Sequence, residues 1–253
     1  MTGKLVPHRD TALMLLFSML MTGFVIVVVN VQIYLARYLY GFYRPETLTG
    51  RPVTISRALS EPRVGEPFAN WMLVCAPVLA IGVALMILAA LIELRRNGGT
   101  PNPREYRTLV WLCLIVVLLQ VLAAIGMVWL SQYRFPHFNK MHMKGSYVFF
   151  VSQACVVIFG EFVSRRFARL PQDRTLLSFG MARFRKVYVW VPTLLCGLYL
   201  FLFFAKDFDL GWVNKPLYVV YTSTEPLLLS AFLGYILTYH VDMGSAIWRY
   251  LRA

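Results

Sequence analysis

The chain has 253 residues, 58% of them apolar and 15% charged, with a net charge of +13 and a mean hydropathy of +0.61. That balance excludes a soluble domain with a polar coat and describes an integral, multi-pass membrane protein. The positive charge does not point to nucleic acid, because Lys and Arg lie in segments between apolar runs, where they set membrane topology.

Residues 1–12 are polar and carry Lys4 and Arg9. The first apolar run, 13–36, is too long for a signal-peptide core and lacks a cleavage site, so it is expected to stay attached as the first span. Residues 37–68 read as a long outer loop rich in Arg, Pro and Gly. A connection of that length in a compact protein carries function or stays unstructured. Spans two and three are predicted at 69–93, interrupted by Pro77, and at 108–130, with Gln120 near its middle. Between them lie Arg95, Arg96, Arg104 and Arg107 around an Asn-Gly-Gly turn. Residues 131–144 carry His137 and His142, and span four follows at 145–163 with Gln153 inside it. Residues 164–186 hold seven basic residues against the single acid Asp173 and read as a cytoplasmic loop. Spans five and six are predicted at 187–205 and 216–240.

The expected architecture is therefore all-α: one polytopic bundle of six transmembrane helices occupying the whole chain. The even hydrophobicity of each run argues against barrel strands, which would alternate with period two. Fifteen of the twenty-five basic residues fall in the N-terminus, loops 94–107 and 164–186, and the C-terminus. That distribution predicts N-in, C-in topology. Cys75, Cys113, Cys155 and Cys196 each lie in a different span, with no CxxC pair, and read as small core residues.

Span six contains Glu225, far from either end of an apolar helix, where a carboxylate is costly and marks a functional site by default. Pro226 removes a backbone N–H and frees the Thr222 carbonyl beside it. Gln120 and Gln153 reach a similar depth. His142, Gly145, Phe149 and Gln153 share one helical face of span four, and Tyr221, Thr222, Glu225, Leu229 and Phe232 share one of span six. These faces suggest a polar cleft opening outward, with His142 at its mouth and Glu225 at its floor. Glu225, His142, Gln153, Gln120, Tyr221 and Thr222 are the candidate ligand-binding residues. Glu225 could equally be a structural acid tied to Gln120, Gln153 or the Thr222 carbonyl. A metal would need His137, His142 and Glu225 together, and neither a metal nor any other cofactor is expected. No Ser-His-Asp order and no phosphate loop appears.

Three patches of the chain resemble one membrane family: Ile55-Ser56-Arg57-Ala58-Leu59 with Glu66-Pro67, then His142-Met143-Lys144-Gly145, and last Glu225 with Gly234, Leu237-Thr238-Tyr239 and Asp242. They are similar to the damage-regulated autophagy modulators (DRAM) and the post-GPI-attachment proteins, six-span proteins whose pattern has a tryptophan where Pro226 stands here. The resemblance implies a role in lipid handling, such as GPI-anchor lipid remodelling, phospholipid organisation or autophagy control. The leading expectation is a non-catalytic accessory protein or modulator that binds lipid in the cleft, with the first loop as a lid or docking surface. A lipid-remodelling enzyme using His142 and Glu225 and a structural subunit of a larger membrane complex are the alternatives. The expected partners are membrane lipids and, for the last reading, other membrane proteins.

Overall fold

The computed structural model describes residues 5–47, 52–100, 102–209 and 211–253. Its helices are α1 (Arg9–Tyr43), α2 (Ile55–Ala58), α3 (Pro62–Arg96), α4 (Pro103–Gln132), α5 (Asn139–Ala168), α6 (Phe179–Tyr188), α7 (Trp190–Ala205) and α8 (Asn214–Arg252). No strand occurs among the described residues. Six segments are long and apolar enough to cross a membrane, with α6 and α7 together supplying the fifth.

The helices run past the apolar stretches at both ends, so the connections are shorter than hydropathy suggests. The α1 helix continues through residues 37–43 because Ala36 and Tyr40 extend the buried stripe begun at Val29 and Ile33. Of the expected loop 37–68, α2 takes four residues, and α3 begins at Pro62, a residue suited to the first helical turn. The basic loop shortens likewise to 169–178, between the end of α5 and Ser178, whose hydroxyl accepts from Met181 N–H and caps α6. The α3 helix stops where Gly98 and Gly99 adopt φ of +85° and +66°, and Gly99 N–H returns to the Leu94 carbonyl. Only glycine takes that turn without strain.

Consecutive spans are neighbours, and α8 closes the ring by packing on α1. The tightest seam lies between α4 and α5, where glycine on each helix meets the backbone of the other. A Cβ on Gly126 would sit 2.5 Å from Phe149 N, and one on Gly145 would sit 2.7 Å from Leu130 N. Small residues permit this approach, which van der Waals packing then rewards in a membrane.

The ring's centre holds a cavity of about 30 Å³, lined from five spans by residues such as Val29, Met72, Gln120, Phe149 and Leu229. A second, of about 40 Å³, lies among α3, α4, α5 and α8 and touches Leu177, Tyr235 and Tyr239.

Both termini and the 169–178 connection meet at one end. Leu5 N–H donates to Gln172 O, and Arg249 donates to Leu5 O. Buried ionic groups hold this end together. Arg185 pairs with Asp242 at 2.8 Å, donates to Ser164 Oγ, and lies 4.2 Å from the Tyr239 ring centroid. Asp242 also accepts from Ser178 N–H. Glu93, fully buried, accepts from Asn97 and bonds His8, while Arg96 forks onto Asp10.

Candidate functional site

At the opposite end the ring's mouth is stopped by α2. Its Ile55 and Ala58 and the following Leu59 are buried, whereas Arg57 faces outward. Thr54 caps the short helix by accepting from Arg57 N–H. The inner side of α2 meets the two polar residues that the mouth presents, Glu225 from α8 and His142 from α5. Both are only 4% exposed.

Glu225 accepts the Ile55 N–H at 2.9 Å, and Ser56, the next residue, lies beside its carboxylate. Arg37, on the extended part of α1, acts on it through its charge. The same guanidinium reaches the Thr222 carbonyl at 3.4 Å. That carbonyl is the one Pro226 leaves without a helical partner, so the imino acid and the arginine answer each other across two spans.

His142 is fixed from the other side. Its Nδ1 lies 2.9 Å from Leu130 O and 3.1 Å from Tyr133 O. Carbonyls only accept, so Nδ1 carries the proton, and a neutral imidazole turns the lone pair of Nε2 outward. That nitrogen is 3.1 Å from Ser56 Oγ, in the geometry in which the hydroxyl donates. The Gly145 contact brings Leu130 within reach, so the His-x-x-Gly spacing has a packing cause: the glycine closes the seam and the histidine binds the carbonyls it exposes.

All nine residues of the two predicted faces are buried, yet they do not form one open cleft. His142 and Glu225 meet through Ile55 and Ser56. Gln120 and Gln153 lie deeper, at the central cavity, and face each other with Nε2 of the first 3.5 Å from Oε1 of the second. Gln120 Oε1 and Gln153 Nε2 have no partner among the described residues. Neither amide is bonded to Glu225, because α2 takes that place. His142 is enclosed by α2 and α4 instead of standing at a wet entrance. Thr222 spends its hydroxyl on Val219 O. Tyr221 turns toward α7, stacked on Tyr199 at 5.3 Å with the rings 9° apart and with Lys206 over the same cluster. His137 is exposed and apart, and among the described residues no cluster of ligating side chains could hold a metal.

Ser56 and Arg37 were not singled out from the residues alone. Ser56 stood within a motif of the resemblance, and Arg37 sat where hydropathy places the end of a span. Only the fold brings them to Glu225.

A family model described as the Frag1/DRAM/Sfk1/Cwh43P N-terminal domain matches residues 12–246. No curated protein and no solved structure matches the chain.

Proposed function

The chain belongs to the Frag1/DRAM/Sfk1/Cwh43P family, and from that premise we propose that it handles membrane lipid, acting as an accessory protein or modulator whose mouth receives the polar part of an amphipathic molecule. One observation carries this reading: a carboxylate and an imidazole, on different spans, both turn a hydrogen-bonding atom to the same four-residue helix, Glu225 to Ile55 N–H and His142 Nε2 to Ser56 Oγ. The stopper's N–H and hydroxyl groups stand where the hydrogen-bonding groups of a lipid headgroup would stand. The central cavity of about 30 Å³ has room for a water or two and not for a headgroup. Binding therefore requires α2 to move outward, with Glu225 and His142 transferring their bonds to the guest. Gln120 and Gln153, with one free acceptor and one free donor, lie deeper along its path. In this reading the basic end, with both termini, faces the cytoplasm and α2 faces the other side.

Native mass spectrometry of the gently extracted full chain tests it. The wild type is expected to carry lipid, and Glu225→Gln and His142→Ala to lose it while remaining monodisperse. A wild type free of lipid, or variants that keep the same load, overturns the reading. Stoichiometric partner chains without lipid would identify a structural subunit instead.

A further inference from the structure

We infer that Ser56 is an acyl-accepting nucleophile with His142 as its general base, and that the group it attacks is the carboxylic ester of a membrane lipid. This rests on the mouth receiving lipid, as proposed above, and the step takes place once α2 has closed again over the bound ester, so that Ser56 regains its contact with His142.

An activated serine needs a base within hydrogen-bond reach and a third group that fixes the base. Both requirements are met here. Ser56 Oγ lies 3.1 Å from His142 Nε2, and Nδ1 is pinned by the Leu130 and Tyr133 carbonyls. Those carbonyls hold the ring in the tautomer that leaves Nε2 free to take the hydroxyl proton. Glu225 is the positioning residue. It grips Ile55 N–H next to the serine and faces Ser56 itself, so it sets the position of the nucleophile. Ser56 is half-buried at the mouth, so a small reagent reaches it, whereas His142 behind it is shielded from bulk water.

The step balances without any redox partner. The Ser56 hydroxyl oxygen bonds to the ester carbonyl carbon while its proton passes to His142 Nε2. The tetrahedral adduct collapses with cleavage of the acyl–oxygen bond, and the departing lipid alkoxide takes the proton back. The acyl group then rests on Ser56 until water or a second alcohol, deprotonated by the same Nε2, releases it as acid or as new ester.

A fluorophosphonate probe applied to the purified full chain in nanodiscs tests the assignment. Peptide mapping is expected to place the label on Ser56. Ser56→Ala should abolish it, and His142→Gln should slow it about 100-fold or more with the melting temperature retained, as loss of a general base does. Absence of label in the wild type, or labelling unchanged in Ser56→Ala, overturns the nucleophile. Nanodiscs of diacyl phosphatidylcholine should yield lysophospholipid, and those of the dialkyl ether analogue should not. Failure with the ester lipid overturns the substrate class. Native mass spectrometry of the wild type reads lipid binding separately, so a wild type that holds lipid but does not react refutes only this inference.

Discussion

The two ends of the bundle bury charge in different ways. At the terminal end Arg185, with no exposed side-chain surface, has a paired carboxylate, a serine, a backbone carbonyl and a tyrosine ring around it. Those partners come from α5 and α8, long spans that cannot move independently of the bundle. At the α2 end Glu225 makes no ion pair among the described residues, and it accepts a hydrogen bond from a four-residue helix flanked by connections. A buried charge satisfied by scaffold fixes the fold, whereas one satisfied by a short segment can exchange that segment for something else. The first end reads as a lock and the second as a gate.

That contrast can be broken experimentally. The largest effect is expected at the lock: Arg185→Ala leaves Asp242 unpaired and should cost about 3–5 kcal/mol, seen as a large fall in melting temperature in detergent. Arg185→Met combined with Asp242→Asn should recover part of it, since the uncompensated charge is the main penalty. Next comes the seam. Gly145→Val drives a side chain into the Leu130 backbone and should cost about 1–3 kcal/mol, while weakening the hold on His142. At the gate, Glu225→Gln keeps an acceptor for Ile55 N–H but loses the charge. It should cost about 1 kcal/mol and raise hydrogen exchange over residues 52–60 while α6 and α8 stay protected. Exchange rising equally at both ends would erase the distinction between lock and gate. The smallest effect is expected in the centre. Gln120→Leu with Gln153→Leu removes an imperfect pair as a unit and should leave the melting temperature nearly unchanged, whereas either substitution alone strands the other amide and lowers it.

The residues lost from view in the sequence share a physical cause. Hydropathy ends a span at the first charge, so Arg37 fell outside α1, although the helix continues and delivers its guanidinium to Thr222. The same criterion placed Ser56 in a long outer loop, because a helix of four residues has no periodicity to read. Arg185 was counted as one of seven basic residues setting topology, and nothing local distinguishes it from Arg183, which is exposed. Burial of a single arginine depends on Asp242, more than fifty residues away.

By itself the sequence determined that the chain is helical and crosses the membrane six times. It also grouped the residues of one face each of α5 and α8, as walls of a polar cleft, and the structure buries both faces. These follow from composition and period, which act locally and are set by the thickness of the bilayer and the pitch of a helix. The anomaly at Glu225 and Pro226 was legible for the same reason, since a carboxylate and a missing N–H are conspicuous in hydrocarbon wherever the helix packs. What satisfies them was decided only by the tertiary structure. The closing of α8 on α1 brings Arg37 to the freed carbonyl, and the glycine seam between α4 and α5 points His142 at the mouth. The fold of residues 52–60 then inserts Ser56 between imidazole and carboxylate. Those partners come from segments far apart in the chain, and no local rule of spacing could have joined them.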